Sequence, residues 1–134
     1  MKQNKINKKF VYLISPNKIT DINFYNDLAL VLSSKKISFF QLRLKKETNS
    51  NKLIIGKKIK KICNKYKVKF LINDDPLLAK KLNADGCHLG QKDMNLIKAR
   101  KILKNKIIGV TCHDSINLAT VSYTHLTLPT KSTV

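Results

Sequence analysis

Short apolar segments alternate with longer amphipathic segments along most of this 134-residue chain. The short segments read as strands. In the segments between them, apolar residues recur at three- and four-residue spacings, which is typical of helices. Strand–helix alternation at this spacing predicts a parallel sheet with right-handed crossover connections. The near-continuous apolar character of the strands agrees, because strands of a parallel sheet are buried on both faces.

The pattern predicts five strands, four helices and the beginning of a fifth helix. The predicted strands are residues 10–14, 37–44, 68–72, 86–89 and 107–112. The predicted helices are residues 19–32, 53–66, 76–82, 95–103 and 116–121. Two α/β architectures fit this order, a doubly wound sheet and a (β/α)8 barrel that has been cut short, and the pattern alone does not choose between them.

The composition is strongly basic, with 27 Lys and Arg residues against 8 Asp and Glu and a formal net charge of +19. The lysines are spread over predicted helix faces, where such runs are usually solvated. A basic nucleic-acid-binding module is the alternative from a different functional class, and it would interleave aromatic residues with the basic ones. The excess positive charge would also attract anionic substrates such as phosphates.

Cysteine content and hydropathy indicate a cytoplasmic protein. The three cysteines, Cys63, Cys87 and Cys112, are too few and too scattered for a disulfide framework. The sequence lacks an apolar run of about 18 residues, so no membrane span is predicted. A zinc site built from Cys87-His88 and Cys112-His113 is not favoured, because no C-x-x-C spacing accompanies them.

Carboxylates and amides follow two consecutive strands directly. Asn73, Asp74 and Asp75 come after the third strand, and Asp93 comes after the fourth. In parallel sheets the ligand site lies at the carboxyl ends of the strands. Carboxylate oxygens suit Mg²⁺, which takes one or two of them together with water and substrate phosphates. The alternative is helix capping, and Asp75 is the predicted N-cap of the helix that begins with Pro76.

The end of the second strand carries Gln41, Arg43 and Lys45 on one face, because side chains alternate at a period of two. Polar side chains on a buried strand are costly unless that face looks into a site. Arg and Lys together suit a phosphate or diphosphate. The alternative is a strand end that emerges into solvent. Thr111, at the end of the fifth strand, offers a hydroxyl to the same edge of the sheet.

At these residues the chain resembles the thiamine phosphate synthase family, which also includes thiazole tautomerases. The matching segments are residues 12–14, 41–45, 71–74, 84–93 and 108–113. The resemblance implies a TIM barrel. It also implies a transferase that joins a hydroxymethylpyrimidine diphosphate to a thiazole phosphate, giving thiamine phosphate and pyrophosphate. The implied mechanism is dissociative: pyrophosphate departs, and the thiazole nitrogen then attacks the pyrimidine-methyl cation.

The resemblance also implies roles for individual residues. It implies that the pyrimidine diphosphate is held by Gln41, Arg43, Lys45 and Asn73. It implies that Mg²⁺ is bound by Asp74 and Asp93, and that the hydroxyl of Thr111 faces the pyrophosphate. Arg43, Lys45 and Thr111 are the implied catalytic residues.

The resemblance stops near residue 121. We therefore predict a partial (β/α)8 TIM barrel of about five βα units at residues 9–121, truncated before the last three strands, and expect that this fragment is inactive. Residues 122–134 differ in composition, with threonine prominent and no acidic residue, and are interpreted as a foreign segment or a poorly ordered natural terminus. The functional alternative within the family is thiazole tautomerase, which would not need the metal and diphosphate residues. The sequence does not indicate an oligomeric state.

Overall fold

The computed structural model describes residues 11–90 and 96–111, and within them five strands alternate with four helices. The strands are β1 (Val11–Ile14), β2 (Ile37–Leu42), β3 (Lys69–Asn73), β4 (Gly86–Leu89) and β5 (Ile107–Val110). The helices are α1 (Phe24–Ser33), α2 (Asn49–Lys65), α3 (Pro76–Leu82) and α4 (Leu96–Leu103). In the described part of the chain, no helix is both long and apolar enough to cross a membrane.

All five strands are parallel and pair in the order in which they occur along the chain. A doubly wound sheet reverses its strand order at a switch point. The described strands show no such reversal, so their order is that of a barrel. The predicted α/β fold with a five-stranded parallel sheet is confirmed. Closure of this sheet into a barrel stays a prediction.

The hydrophobic core lies between one face of the sheet and the helices. Successive helices pack against each other along that face. Alternate strand residues point into the core, where they meet buried helix residues. The strand residues in the core are Phe40, Leu42, Phe70, Ile72, Cys87, Leu89, Ile108 and Val110. The helix residues in the core are Leu28, Leu32, Ile59, Cys63, Ala79, Leu82, Ala99 and Leu103. The remaining strand side chains point to the opposite face of the sheet.

Two helix starts differ from the sequence prediction for local reasons. Helix α1 begins at Phe24 rather than at residue 19, because Asp21 forms a turn before it. The Asp21 side chain accepts a hydrogen bond from the Asn23 N–H at 2.8 Å, and short polar side chains of this kind compete with helix formation. Ile19 still packs against the core, which explains the misleading periodicity. Helix α2 begins earlier than predicted, because Thr48 caps it before its apolar pattern starts.

Candidate active site

The face of the sheet opposite the core carries a row of polar side chains. All of them except Tyr12 lie at or near the carboxyl ends of their strands, and Tyr12 pairs with Phe39, two residues before Gln41. Each of the five strands, or the residue directly after it, contributes one member. The row consists of Tyr12, Gln41, Asn73, His88 and Thr111. Because adjacent parallel strands end at the same edge, the topology brings together side chains that are far apart in sequence.

Hydrogen bonds connect the first part of this row. The Tyr12 hydroxyl donates to Gln41 Oε1 at 2.8 Å, and Gln41 Nε2 donates to Asn73 Oδ1 at 2.7 Å. Asn73 Nδ2 then donates to Asp74 Oδ2 at 3.0 Å. Gln41 is only 3% exposed, so these bonds satisfy a polar group that would be costly to bury unpaired. The chain of bonds therefore fixes the geometry of both amides and of the carboxylate.

The carboxylate of Asp74 is held in place from several sides. Its backbone has φ of 62°, in the left-handed region, where Asp is better tolerated than most residues. Its N–H donates to the His88 carbonyl at 2.7 Å, and its Oδ1 accepts from the Gly90 N–H at 3.0 Å. The carboxylate is thus oriented by the ends of β3 and β4 together.

Lys45 reaches this carboxylate from the loop after β2. Its Nζ lies 3.7 Å from Asp74 Oδ2, and the Lys45 side chain is half exposed. Both residues line a cavity of about 280 Å³. Its other lining residues are Leu42, Leu44, Lys52, Ile72, Asn73, Asp75 and Leu78. This volume is slightly below the ~300–1,000 Å³ of small-molecule sites, so the cavity could hold part of a ligand.

Arg43 is oriented differently from Lys45. Its Nη1 donates to Asn17 Oδ1 at 3.2 Å, and its backbone N–H donates to Ser15 Oγ at 2.8 Å. These contacts hold it beside the loop that follows β1. Contacts therefore join four of the predicted residues, Gln41, Lys45, Asn73 and Asp74. Arg43 lies beside this group and contacts Asn17 and Ser15 instead.

His88 and Thr111 form the second part of the polar row. His88 Nε2 lies 2.9 Å from Thr111 Oγ1, at hydrogen-bonding distance. Burial lowers the pKa of His88, although the charge of Asp74 acts in the opposite direction. The imidazole is therefore neutral at neutral pH, and it orients the threonine hydroxyl. The preceding Cys87 points into the core, which separates its sulfur from His88 and leaves the pair unsuited to one zinc ion.

Asp75 has the role predicted for it. Its Oδ1 accepts a hydrogen bond from the Leu78 N–H at 3.0 Å, and Pro76 occupies the first turn of α3. This is an N-cap with proline at the favoured position. The capping prediction is confirmed, and the neighbouring carboxylate of Asp74 is left as the candidate ligand.

The second predicted metal ligand, Asp93, lies outside the described residues, as do Cys112, His113 and residues 122–134. Among the described residues there is no group of three or more His, Cys, Asp or Glu that could hold a metal. Asp74 nevertheless fits Mg²⁺, which takes few protein carboxylates and fills its shell with water and phosphate oxygens. Sequence reasoning missed Tyr12, Lys52 and His88 as members of the site.

Comparisons with known proteins agree on one family. The family model for thiamine monophosphate synthase matches residues 11–126. A thiamine-phosphate synthase of Pelagibacter ubique (strain HTCC1062) is 95% identical over 119 residues, covering 89% of this chain and 58% of that protein. A thiamine-phosphate synthase of Marinobacter nauticus is 37% identical over 110 residues, covering 81% of this chain and 50% of that protein.

A solved structure shows the same fold. Thiamine phosphate pyrophosphorylase from Pyrococcus furiosus superposes with a TM-score of 0.76 at 24% identity, covering 87% of this chain and 55% of that chain. At this level of identity the likeness speaks for the fold alone. The chain spans between 50% and 58% of the length of these three proteins.

Proposed function

We propose that the strand ends of this chain form the diphosphate half of a synthase active site, since the chain belongs to the thiamine monophosphate synthase family. The resemblance found in the sequence is confirmed by the family match and the relatives. The proposed reaction joins a hydroxymethylpyrimidine diphosphate to a thiazole phosphate. The observation that carries the proposal is the contact group of Gln41, Asn73, Asp74 and Lys45 at one edge of the sheet.

These residues have the chemistry that departure of pyrophosphate requires. When the bond between the pyrimidine methylene carbon and the diphosphate oxygen breaks, its electrons remain on the oxygen, and negative charge grows there. The Lys45 ammonium and the amide N–H groups of Gln41 and Asn73 would stabilise that charge. The thiazole nitrogen then supplies the electron pair of the new carbon–nitrogen bond. Arg43 and the hydroxyl of Thr111 are proposed to meet the same diphosphate from the two sides of the group.

Mg²⁺ is proposed as the metal of this site, with Asp74 and Asp93 as its protein ligands. Asp74 supports this because its carboxylate is oriented by the N–H groups of Gly90 and Asn73 before any ligand arrives. Bound Mg²⁺ would neutralise charge on the diphosphate. The cytoplasmic location predicted from the cysteines is part of the same proposal.

Two observations disfavour the alternative functions. A basic nucleic-acid-binding module is disfavoured, because the family model and the similar proteins are thiamine-phosphate synthases. Thiazole tautomerase would not need an ammonium and an oriented carboxylate in one cavity, and Lys45 and Asp74 provide both.

Replacement of Lys45 tests the function. We propose to use a full-length hybrid, in which residues 1–121 of this chain are joined to the corresponding remainder of the Pelagibacter ubique relative. This hybrid is expected to form thiamine phosphate from both substrates and Mg²⁺. Lys45→Met should lower kcat/KM by roughly 10²-fold, since loss of one charge-stabilising donor typically has that effect.

Lys61→Met is the matched control, because Lys61 is an exposed lysine on helix α2. It should leave the steady-state kinetics unchanged. A hybrid that folds but forms no thiamine phosphate would refute the proposed function. Equal effects of the two lysine replacements would instead remove Lys45 from the site.

A further inference from the structure

Tyr12 lies at the far end of the hydrogen-bond chain that leads to Asp74. Its ring stacks on Phe39 with an interplanar angle of 26°, so the ring is held independently of the hydroxyl. Its hydroxyl donates to Gln41 Oε1. Burial raises the pKa of Tyr12 well above its usual value, so the phenol keeps its proton throughout the neutral range.

The direction of every bond in this chain follows from Asp74. An ionised carboxylate can only accept, so Asn73 must turn its amino group towards it. The Asn73 carbonyl then faces Gln41, which must present its own amino group. The carbonyl oxygen of Gln41 is left facing Tyr12, whose hydroxyl is the donor that it needs. Reversing either amide would oppose two donors or two acceptors.

This order has a consequence for ligand binding. The described contacts use one N–H of the Gln41 amide and one N–H of the Asn73 amide. Each amide carries a second N–H. Both of these groups belong to the donor set that the proposed function assigns to the diphosphate substrate. Loss of the Tyr12 hydroxyl would leave the carbonyl of buried Gln41 without its donor, and the terminal torsion of Gln41 would be free to turn.

We propose that Tyr12 is a positioning residue, whose hydroxyl locks the amides of Gln41 and Asn73 in the orientation that presents their remaining N–H groups to the diphosphate substrate. The inference rests on the proposed function and extends it. Tyr12 acts through Gln41, so its contribution should vanish when Gln41 is absent. This dependence separates a positioning role from a general contribution of the tyrosine to stability.

A double-mutant cycle in the full-length hybrid tests the inference. The variants are Tyr12→Phe, Gln41→Ala and the pair combined. Calorimetry measures the affinity of each variant for the pyrimidine diphosphate in the presence of Mg²⁺. The thiazole phosphate is left out, so that binding can also be measured in variants with little activity. Tyr12→Phe should weaken binding about tenfold in the parent hybrid, as loss of one well-oriented hydrogen bond does. In the Gln41→Ala background the same change should alter affinity by less than about twofold.

Tyr66→Phe is the control, since it removes a tyrosine hydroxyl at the end of helix α2 and should leave affinity unchanged. Equal effects of Tyr12→Phe in both backgrounds, or no effect in the parent, would overturn the positioning role while the proposed function stands. A parent hybrid that does not bind the pyrimidine diphosphate would overturn the proposed function, and the role of Tyr12 with it.

Discussion

Asp74→Asn is expected to lower kcat/KM of the full-length hybrid by on the order of 10³-fold. The substitution removes the charge that the proposed Mg²⁺ requires, while Asn keeps the size of the side chain and tolerates its φ of 62°. Both carboxylate oxygens of Asp74 accept hydrogen bonds in the native protein. The substitution replaces one of these oxygens with an amide donor, so one of the two hydrogen bonds is also lost. Steady-state kinetics with varied Mg²⁺ measures the loss.

Asp75→Asn provides the matched control for this experiment. It removes the same charge one residue further along, and Asn is as good an N-cap as Asp. Activity and stability should therefore change little, because Asp75 caps α3 through its contact with the Leu78 N–H. If the two substitutions reduce activity equally, Asp74 has no special role in the reaction.

Gly86→Ala is expected to destabilise the protein by about 3 kcal/mol or more, at or beyond the upper end of the usual cost of overpacking. A Cβ at Gly86 would lie 2.1 Å from the carbonyl oxygen of Ile107, on the adjacent strand. The two residues are paired in the ladder between β4 and β5, and the Ile107 N–H also donates to the Asp85 carbonyl at 3.0 Å. The backbone there is fixed on both sides, so the sheet itself would have to move. Urea unfolding of the full-length hybrid measures the change.

Gly56→Ala is the control for Gly86→Ala. At Gly56 the added Cβ would meet Leu82 Cδ1 at 2.5 Å, which is the far end of a flexible side chain. The clash is offset by the better helix propensity of Ala, worth about 1 kcal/mol. We expect a net change within about 1 kcal/mol. A Gly86→Ala variant as stable as Gly56→Ala would show that β4 and β5 are not held as closely as described.

The sequence predicted most of what depends on local pattern. The apolar strands stood out because both faces of a parallel sheet are buried, and Asp75 stood out because it precedes Pro76 at a predicted helix start. The start of α1 was predicted wrongly, because Ile19 packs against the core but lies before the turn at Asp21 and outside the helix. Hydrophobic periodicity does not distinguish these two cases.

The site residues that the sequence analysis did not identify are brought together by contacts between distant segments. Tyr12 and Gln41 are 29 residues apart, and His88 and Thr111 are 23 residues apart. No local spacing links either pair. Lys52 was not singled out, because it lies just before the predicted helix of residues 53–66, although it lines the same cavity as Lys45. The register of the sheet, and not the character of any single residue, brings these side chains together.

The most direct test of the site is calorimetric binding of inorganic pyrophosphate to the full-length hybrid, with and without Mg²⁺. We expect Mg²⁺ to raise the affinity at least about tenfold in the parent protein, because Asp74 would hold the metal and the metal would neutralise charge on the pyrophosphate. In Asp74→Asn this dependence on Mg²⁺ should disappear. Equal affinity with and without the metal, or an unchanged Mg²⁺ dependence in Asp74→Asn, would contradict a metal–diphosphate site at these strand ends.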